Sequence, residues 1–250
     1  MDCLVLNRVS KRFGGVSALD DVSFSVAEHQ VLGIIGLNGS GKTTVVNAIT
    51  GFIEPDSGEI WFKGTEITGF APHRVAAAGI ARTFQTVRPF HNLPAFKNLI
   101  VPLYSPRIRK RTESGRWGDR DAVALDLLEE VGFERDSHVP YKPASTLPHG
   151  YLRRLELARC LALRPDLLIT DELFSGLSAA EVGSMLPLIE KLQARGMTIV
   201  MVEHRLRELF RLAHRVVVLD RGRKIAEGSP REIVESSTVK ETYLGAELSQ

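Results

Sequence analysis

An α/β fold is predicted for this chain, with a parallel core sheet, an antiparallel β part at the N-terminal end and a helical insertion. Three observations lead there. Residues 31–35, 167–170 and 198–202 are runs rich in Val, Ile and Leu that do not alternate with polar residues, as strands covered on both faces require. Residues 21–26 do alternate, with Val22, Phe24 and Val26 on one side, as a half-exposed antiparallel strand requires. The stretch 90–163 instead places its apolar residues at helical spacing.

Taken in order, 21–26 and 59–62 read as antiparallel strands, the second following the turn Pro55-Asp56-Ser57-Gly58. The run 31–35 leads through a glycine-rich segment into a helix over 44–49. In the insertion, Val123, Leu127, Leu128 and Val131 mark one helix, and Leu152, Leu155 and Leu161 mark a second that follows Gly150. After the run 167–170, Ser178-Ala179-Ala180-Glu181 is a capping box opening a helix with Val182, Met185, Leu186 and Ile189 on its apolar face. Gly196 closes that helix, and 198–202 follows as the next strand of a strand–helix–strand unit. One domain over 1–250 is expected, its core formed by 1–89 and 164–250 and its helical subdomain by 90–163.

Composition narrows the partners. The 250 residues are 44% hydrophobic and 25% charged, the balance of a chain that folds unaided. With 32 Lys and Arg against 30 Asp and Glu, the net charge of +2 is too small for a broad basic field, so no nucleic-acid partner is expected and any phosphate site must be local. Cys3 and Cys160 show neither metal-ligand nor redox spacing, which reads as two small buried side chains in a reducing, cytoplasmic setting. No stretch reaches the roughly 18 apolar residues needed to span a bilayer, and the first residues lack the apolar core of a signal peptide. A basic run, Arg107, Arg109, Lys110, Arg111, Arg116 and Arg120, is broken only by Glu113 and Asp119; it reads as a solvated loop, with anionic lipid or a partner as the alternative.

The chemistry concentrates at strand ends. Gly36-Leu37-Asn38-Gly39-Ser40-Gly41-Lys42-Thr43, followed by Thr44, stands between the 31–35 strand and the next helix and has the spacing of a phosphate-binding P-loop. Its glycines let successive N–H groups face a polyphosphate, Lys42 adds a point charge, and the Thr43 hydroxyl can reach Mg²⁺. Asp171 and Glu172 end the 167–170 strand where α/β sheets bind ligands. Asp171 is placed to hold Mg²⁺, and Glu172 to polarise the attacking water. His204 ends the third strand on the same edge and is assigned to the γ-phosphate.

These residues resemble the ATP-binding subunits of ABC transporters, and within them the branched-chain amino acid uptake type. The resemblance covers nearly the whole chain. It implies a RecA-like P-loop NTPase core, ATP and Mg²⁺ as cofactors, and hydrolysis by Glu172, His204 and Lys42. Phe13 matches the aromatic that stacks on adenine, and Gln85, in Ala81-Arg82-Thr83-Phe84-Gln85, the glutamine that joins the Mg²⁺ site (with Thr43 and Asp171) to the helical lobe. Gly150, followed by 151–159, matches the signature that reaches the ATP held by a second subunit; Ser175-Gly176-Leu177-Ser178 matches the loop that crosses the dimer interface. The subtype rests on the Ala-Arg-Thr-Phe-Gln string, Arg153-Arg154-Leu155-Glu156 and Tyr243-Leu244-Gly245.

The chain departs from the family pattern at Pro148, His149 and Tyr151 of the signature, and at Leu173, where Pro commonly follows the catalytic Glu. Pro148 offers neither a hydroxyl nor an N–H to a phosphate. The resemblance implies an importer ATPase, paired with a second ATP-binding subunit as homo- or heterodimer, and bound to integral-membrane permease subunits at the inner face of the cell membrane. Two alternatives stand beside it: a non-transport P-loop ATPase acting on nucleic acid or the ribosome, and a weakly hydrolytic regulatory subunit. A GTPase lacks support because no Asn/Thr-Lys-x-Asp segment is present.

Overall fold

The computed structural model describes residues 1–111 and 119–244. It begins with strands β1 (Asp2–Phe13), β2 (Val16–Ala27) and β3 (Val31–Gly36), then helix α1 (Lys42–Ile49), β4 (Ser57–Phe62), β5 (Thr65–Glu66), α2 (Pro72–Ala78) and β6 (Ile80–Arg82). Helices α3 (Ile100–Leu103), α4 (Pro106–Arg111), α5 (Arg120–Glu130) and α6 (His149–Leu161) follow. The chain then returns to α/β alternation with β7 (Leu167–Asp171), α7 (Ala179–Ala194), β8 (Thr198–Val202), α8 (Leu206–Leu212), β9 (Arg215–Asp220) and β10 (Arg223–Gly228). Helices α9 (Pro230–Glu235) and α10 (Ser237–Val239) follow, and a π-helical turn, Lys240–Leu244, ends the described residues.

Two sheets form among the described residues. The first is antiparallel, in the order β2-β1-β4-β5; the second runs β10-β9-β3-β8-β7-β6, and only its β10 edge is antiparallel. The three aliphatic runs are the centre of the second sheet, and every residue of β3, β7 and β8 is buried, which is why their sequences do not alternate. Alternation is nevertheless present in space. Val31 and Ile35 of β3 join a core shared with α5, α6 and α7, while Leu32 and Ile34 join one shared with α1 and the antiparallel sheet. The parallel sheet therefore separates two cores, and its carboxyl-end loops project to one edge, where ligands bind in such folds.

Five strands go beyond the sequence expectation: β1, β5, β6, β9 and β10. Helix α6 also starts earlier than predicted, at His149, so Gly150 lies in its first turn instead of ahead of it. Pro148 is the N-cap; it needs no N–H there, and its carbonyl accepts the Leu152 N–H at 3.1 Å. The basic run also needs correction. Arg107 is no solvated residue: its guanidinium binds the carbonyls of Ala78, Leu163 and Arg164 and the Asp166 carboxylate at 2.6 Å. Arg120 stacks 3.5 Å from the Tyr104 ring centroid. The side chains of Arg109, Lys110 and Arg111, and residues Glu113 and Arg116, lie outside the described residues, as does Gly245. Both cysteines are buried and unbridged; burial pushes the Cys3 thiol up to about 11 and the Cys160 thiol up as well.

Candidate active site

The segment after β3 is shaped by contacts that exclude side chains. A Cβ on Gly36 would lie 2.3 Å from Ser40 Oγ and 2.4 Å from the Leu219 carbonyl, and one on Gly41, at φ +105°, would lie 2.7 Å from the Ala18 carbonyl. The loop therefore closes tightly on β9 and β2 and delivers α1 with its N-terminus facing outward. That N-terminus has no capping side chain and no acidic residue in its first turn. The start of a helix carries the positive end of its dipole, which suits an anion. Ser40 Oγ is buried and has no partner, and Lys42 Nζ reaches the carbonyls of Gly36 and Leu37 at 2.7 and 3.0 Å.

A cleft of about 300 Å³ opens over this cradle. Asn38, Gly39, Ser40, Gly41, Lys42, Thr43 and Thr44 line it together with Phe13, Glu172 and His204, so elements more than 190 residues apart in sequence meet there. Phe13 is half-exposed at its mouth, with the Lys11 ammonium 5.8 Å from its ring centroid, an aromatic of the kind that stacks on a flat ring. An orphaned hydroxyl, an uncapped helix start, an ammonium group and an exposed aromatic together fit a nucleoside polyphosphate.

Glu172 is held from both sides. Gln85 Nε2 donates to its Oε2 at 2.8 Å, and His204 Nε2 lies 3.0 Å from its Oε1. Gly36 lies under the loop, and Gln85 and Asp171 face a neighbouring groove of about 740 Å³ that shares Thr43 with the cleft. Asp171 is 4% exposed and paired with Arg82 at 2.7 Å. Arg82 in turn donates to Asn47 Oδ1 at 2.6 Å, which ties β6 and β7 to α1. The reason is burial: a carboxylate at the end of a covered strand requires a partner, and Arg82 is its neighbour across the β6–β7 pair. The donor set still suits Mg²⁺, a cation that commonly takes one or two protein oxygens and completes its shell from phosphates and water. Thr43 supplies a hydroxyl, Gln85 an amide oxygen and Asp171 a carboxylate.

Several contributors carried no role in the sequence reading. Arg153, 2% exposed, donates to the carbonyls of Phe84 and Gln85, both at 2.9 Å, and to that of Ser175 at 3.3 Å. Glu156 accepts the Phe84 N–H at 2.6 Å, and burial pushes its carboxyl above the usual range. One charged pair on α6 thus fastens the Gln85 segment to the Ser175 loop. The readable signal was that Arg153 and Glu156 share a helix face with Cys160, at i, i+3 and i+7. Gly150 does not reach the cleft of its own chain. Its N–H donates to the Glu181 carboxylate, which the Ser178 N–H and hydroxyl hold below the usual carboxylate range. His149 packs against Gly176, and Tyr151 lies edge-on against Phe133 at 5.0 Å. Of the unusual signature side chains, Tyr151 is thus engaged in packing, whereas Pro148 and His149 are exposed.

Comparison with known proteins decides the family. The ABC transporter family model matches residues 19–175. The chain belongs to the ABC transporter family.

Its relatives include the high-affinity branched-chain amino acid transport ATP-binding protein BraF of Pseudomonas aeruginosa, 36% identical with 97% of each chain covered. A probable branched-chain amino acid transport ATP-binding protein, LivG of Archaeoglobus fulgidus, is 34% identical over 100% of this chain and 98% of its own. Among solved structures, an ATP-binding cassette of an ABC transporter in its ADP conformation superposes with a TM-score of 0.84 at 31% identity, covering 98% of this chain and 99% of that one. A nucleotide-free ATP-binding cassette gives 0.85 at 30% identity over 97% and 99%. The fold is thus that of an ABC ATPase, a P-loop NTPase core with an antiparallel β part and helices, and the chain is an ABC-type ATP-binding protein. Among the described residues no helix is long and apolar enough to cross a membrane.

Proposed function

We propose that this ABC ATPase binds and hydrolyses ATP to drive uptake of a branched-chain amino acid, or a related small polar solute, through a separate permease. One observation carries the hydrolytic part: the Glu172 carboxylate, oriented by Gln85 and His204, enters the same cleft as Lys42 and the uncapped start of α1. The solute class is supported by the names of the relatives that cover nearly all of the chain.

In this reading the backbone of Asn38, Gly39, Ser40, Gly41, Lys42, Thr43 and Thr44 wraps the phosphates, and Phe13 stacks on the adenine. Thr43, Gln85 and Asp171 hold Mg²⁺, which when bound neutralises phosphate charge. Glu172 accepts a hydrogen bond from the attacking water and orients it in line with the γ-phosphorus. Lys42 and His204 donate to the oxygens on which charge collects. The water oxygen bonds to the γ-phosphorus as the bond from that phosphorus to the bridging oxygen breaks, leaving ADP and phosphate, with the water's proton released to the phosphate or to solvent.

Residues 90–163 act as a helical lobe. The Gln85 segment links that lobe to the cleft through Arg153 and Glu156, and Gly150 serves the ATP of a second ATP-binding subunit, identical or related. The groove beside Gln85, with exposed Phe52, Phe84 and Val101, is where an integral-membrane permease docks. The protein then works in the cytoplasm, peripheral on the inner face of the cell membrane, with no nucleic-acid partner. Substituting Glu172→Gln is expected to retain ATP binding and lower turnover about 100-fold or more, measured as phosphate release; wild-type turnover in that variant would contradict the hydrolytic reading.

A further inference from the structure

Glu203 lies between the end of β8 and His204 and is 2% exposed. A carboxyl group this deep is costly unless donors meet its oxygens. The donors are two successive backbone N–H groups: that of Phe174, 3.3 Å from Oε1, and that of Leu173. Both residues directly follow Glu172, and their own side chains are fully buried.

Glu172 itself has a backbone φ of +51°, a left-handed conformation that side-chain-bearing residues rarely adopt. Its N–H donates to the Val202 carbonyl at 2.8 Å, and its carbonyl accepts the Ser175 N–H at 3.1 Å. The bend is thus tied to β8 at its first residue and closed on itself three residues later. Between those points only the Leu173 and Phe174 N–H groups remain to be fixed, and Glu203 takes both. Leucine at 173 matters here, because a proline would lock φ but would have no N–H to give.

We propose that Glu203 is a positioning residue, whose carboxyl holds the backbone bend that aims Glu172 between Gln85 and His204. The role rests on reading Glu172 as the group that orients the attacking water. Burial pushes the Glu203 carboxyl up to about 8, with the nearby Glu172 charge adding to the rise, so near neutral pH it carries a proton. An amide is then its closest mimic.

The test compares E203Q, E203M and E172Q in the full-length chain, measuring single-turnover hydrolysis of Mg-ATP, ATP affinity by titration, and Tm. E203M keeps the volume but removes the acceptor. It is expected to hydrolyse about tenfold or more slowly, with ATP affinity within about twofold of wild type. E203Q keeps an acceptor and is expected to stay within about threefold in rate. Wild-type rates in E203M, or an equal loss in E203Q, would overturn the positioning role while E172Q remained inactive. Normal turnover in E172Q would instead remove the reading of Glu172 on which the role rests. Hydrogen exchange of the wild-type chain gives an independent readout that needs no variant: the Leu173 and Phe174 amides are expected to be protected, and exchange at the rate of an open loop would overturn the proposal.

Discussion

Glu172 combines a functional carboxylate with a left-handed backbone that costs about 1–2 kcal/mol for a residue bearing a side chain. The surroundings that offset this cost are not all innocuous, because buried Glu203 pays in desolvation for what it contributes in geometry. The consequence is a pH dependence with a definite sign. The folded carboxyl titrates near 8 and the unfolded one near the usual 4.5, so between these values the folded state binds more protons than the unfolded state. The contribution of this group to stability is therefore greatest at low pH and is lost as pH rises through this window, by at most about 1.4 kcal/mol per pH unit. Arg153 opposes the shift and Glu172 reinforces it. Denaturant unfolding of wild type and E203Q from pH 5 to 9 is expected to show the difference between them changing with that sign below pH 8 and levelling off above; a difference that does not vary with pH would contradict it. Glu172 and His204 were legible in the sequence because each follows the end of an aliphatic strand, and Lys42 because the glycine spacing between β3 and α1 fixes its place. Arg82 and Arg153 were not, because their partners, 89 residues away for Asp171 and 68 for Gln85, are chosen by the fold.

At the scale of elements, pattern was most readable where burial is one-sided or complete. The three central strands and the α7 capping box were expected, and the box is present with both reciprocal bonds. Ser178→Ala is expected to lower stability by about 1 kcal/mol and Tm by roughly 2–4 °C in thermal unfolding, and no change in Tm would contradict a working cap. Other strands escaped for physical reasons. The alternation of β1 is broken by register shifts between Leu6 and Val9 and again between Val9 and Lys11. Strand β6 has three residues, too few for a period. Strand β9, with buried Val216, Val217, Val218 and Leu219, carries the same unalternating signal as β3 and was readable. The start of α6 was misjudged because Gly150 reads as a breaker, whereas Pro148 caps the helix ahead of it.

In the whole molecule, one sheet with a core on each face brings residue 13, residues 38–44, residue 172 and residue 204 into a single cleft. The near-zero net charge agrees with this arrangement: the positive potential that a nucleotide needs comes from one helix start and one ammonium group. The most direct check is therefore an equilibrium titration of the full-length chain with Mg-ATP, beside the Lys42→Ala variant with its circular dichroism spectrum compared. The wild-type chain is expected to bind with micromolar affinity and the variant at least about tenfold more weakly at unchanged secondary structure. Equal affinity in the two, or no binding by the wild-type chain, would contradict the phosphate-gripping role of the loop between β3 and α1.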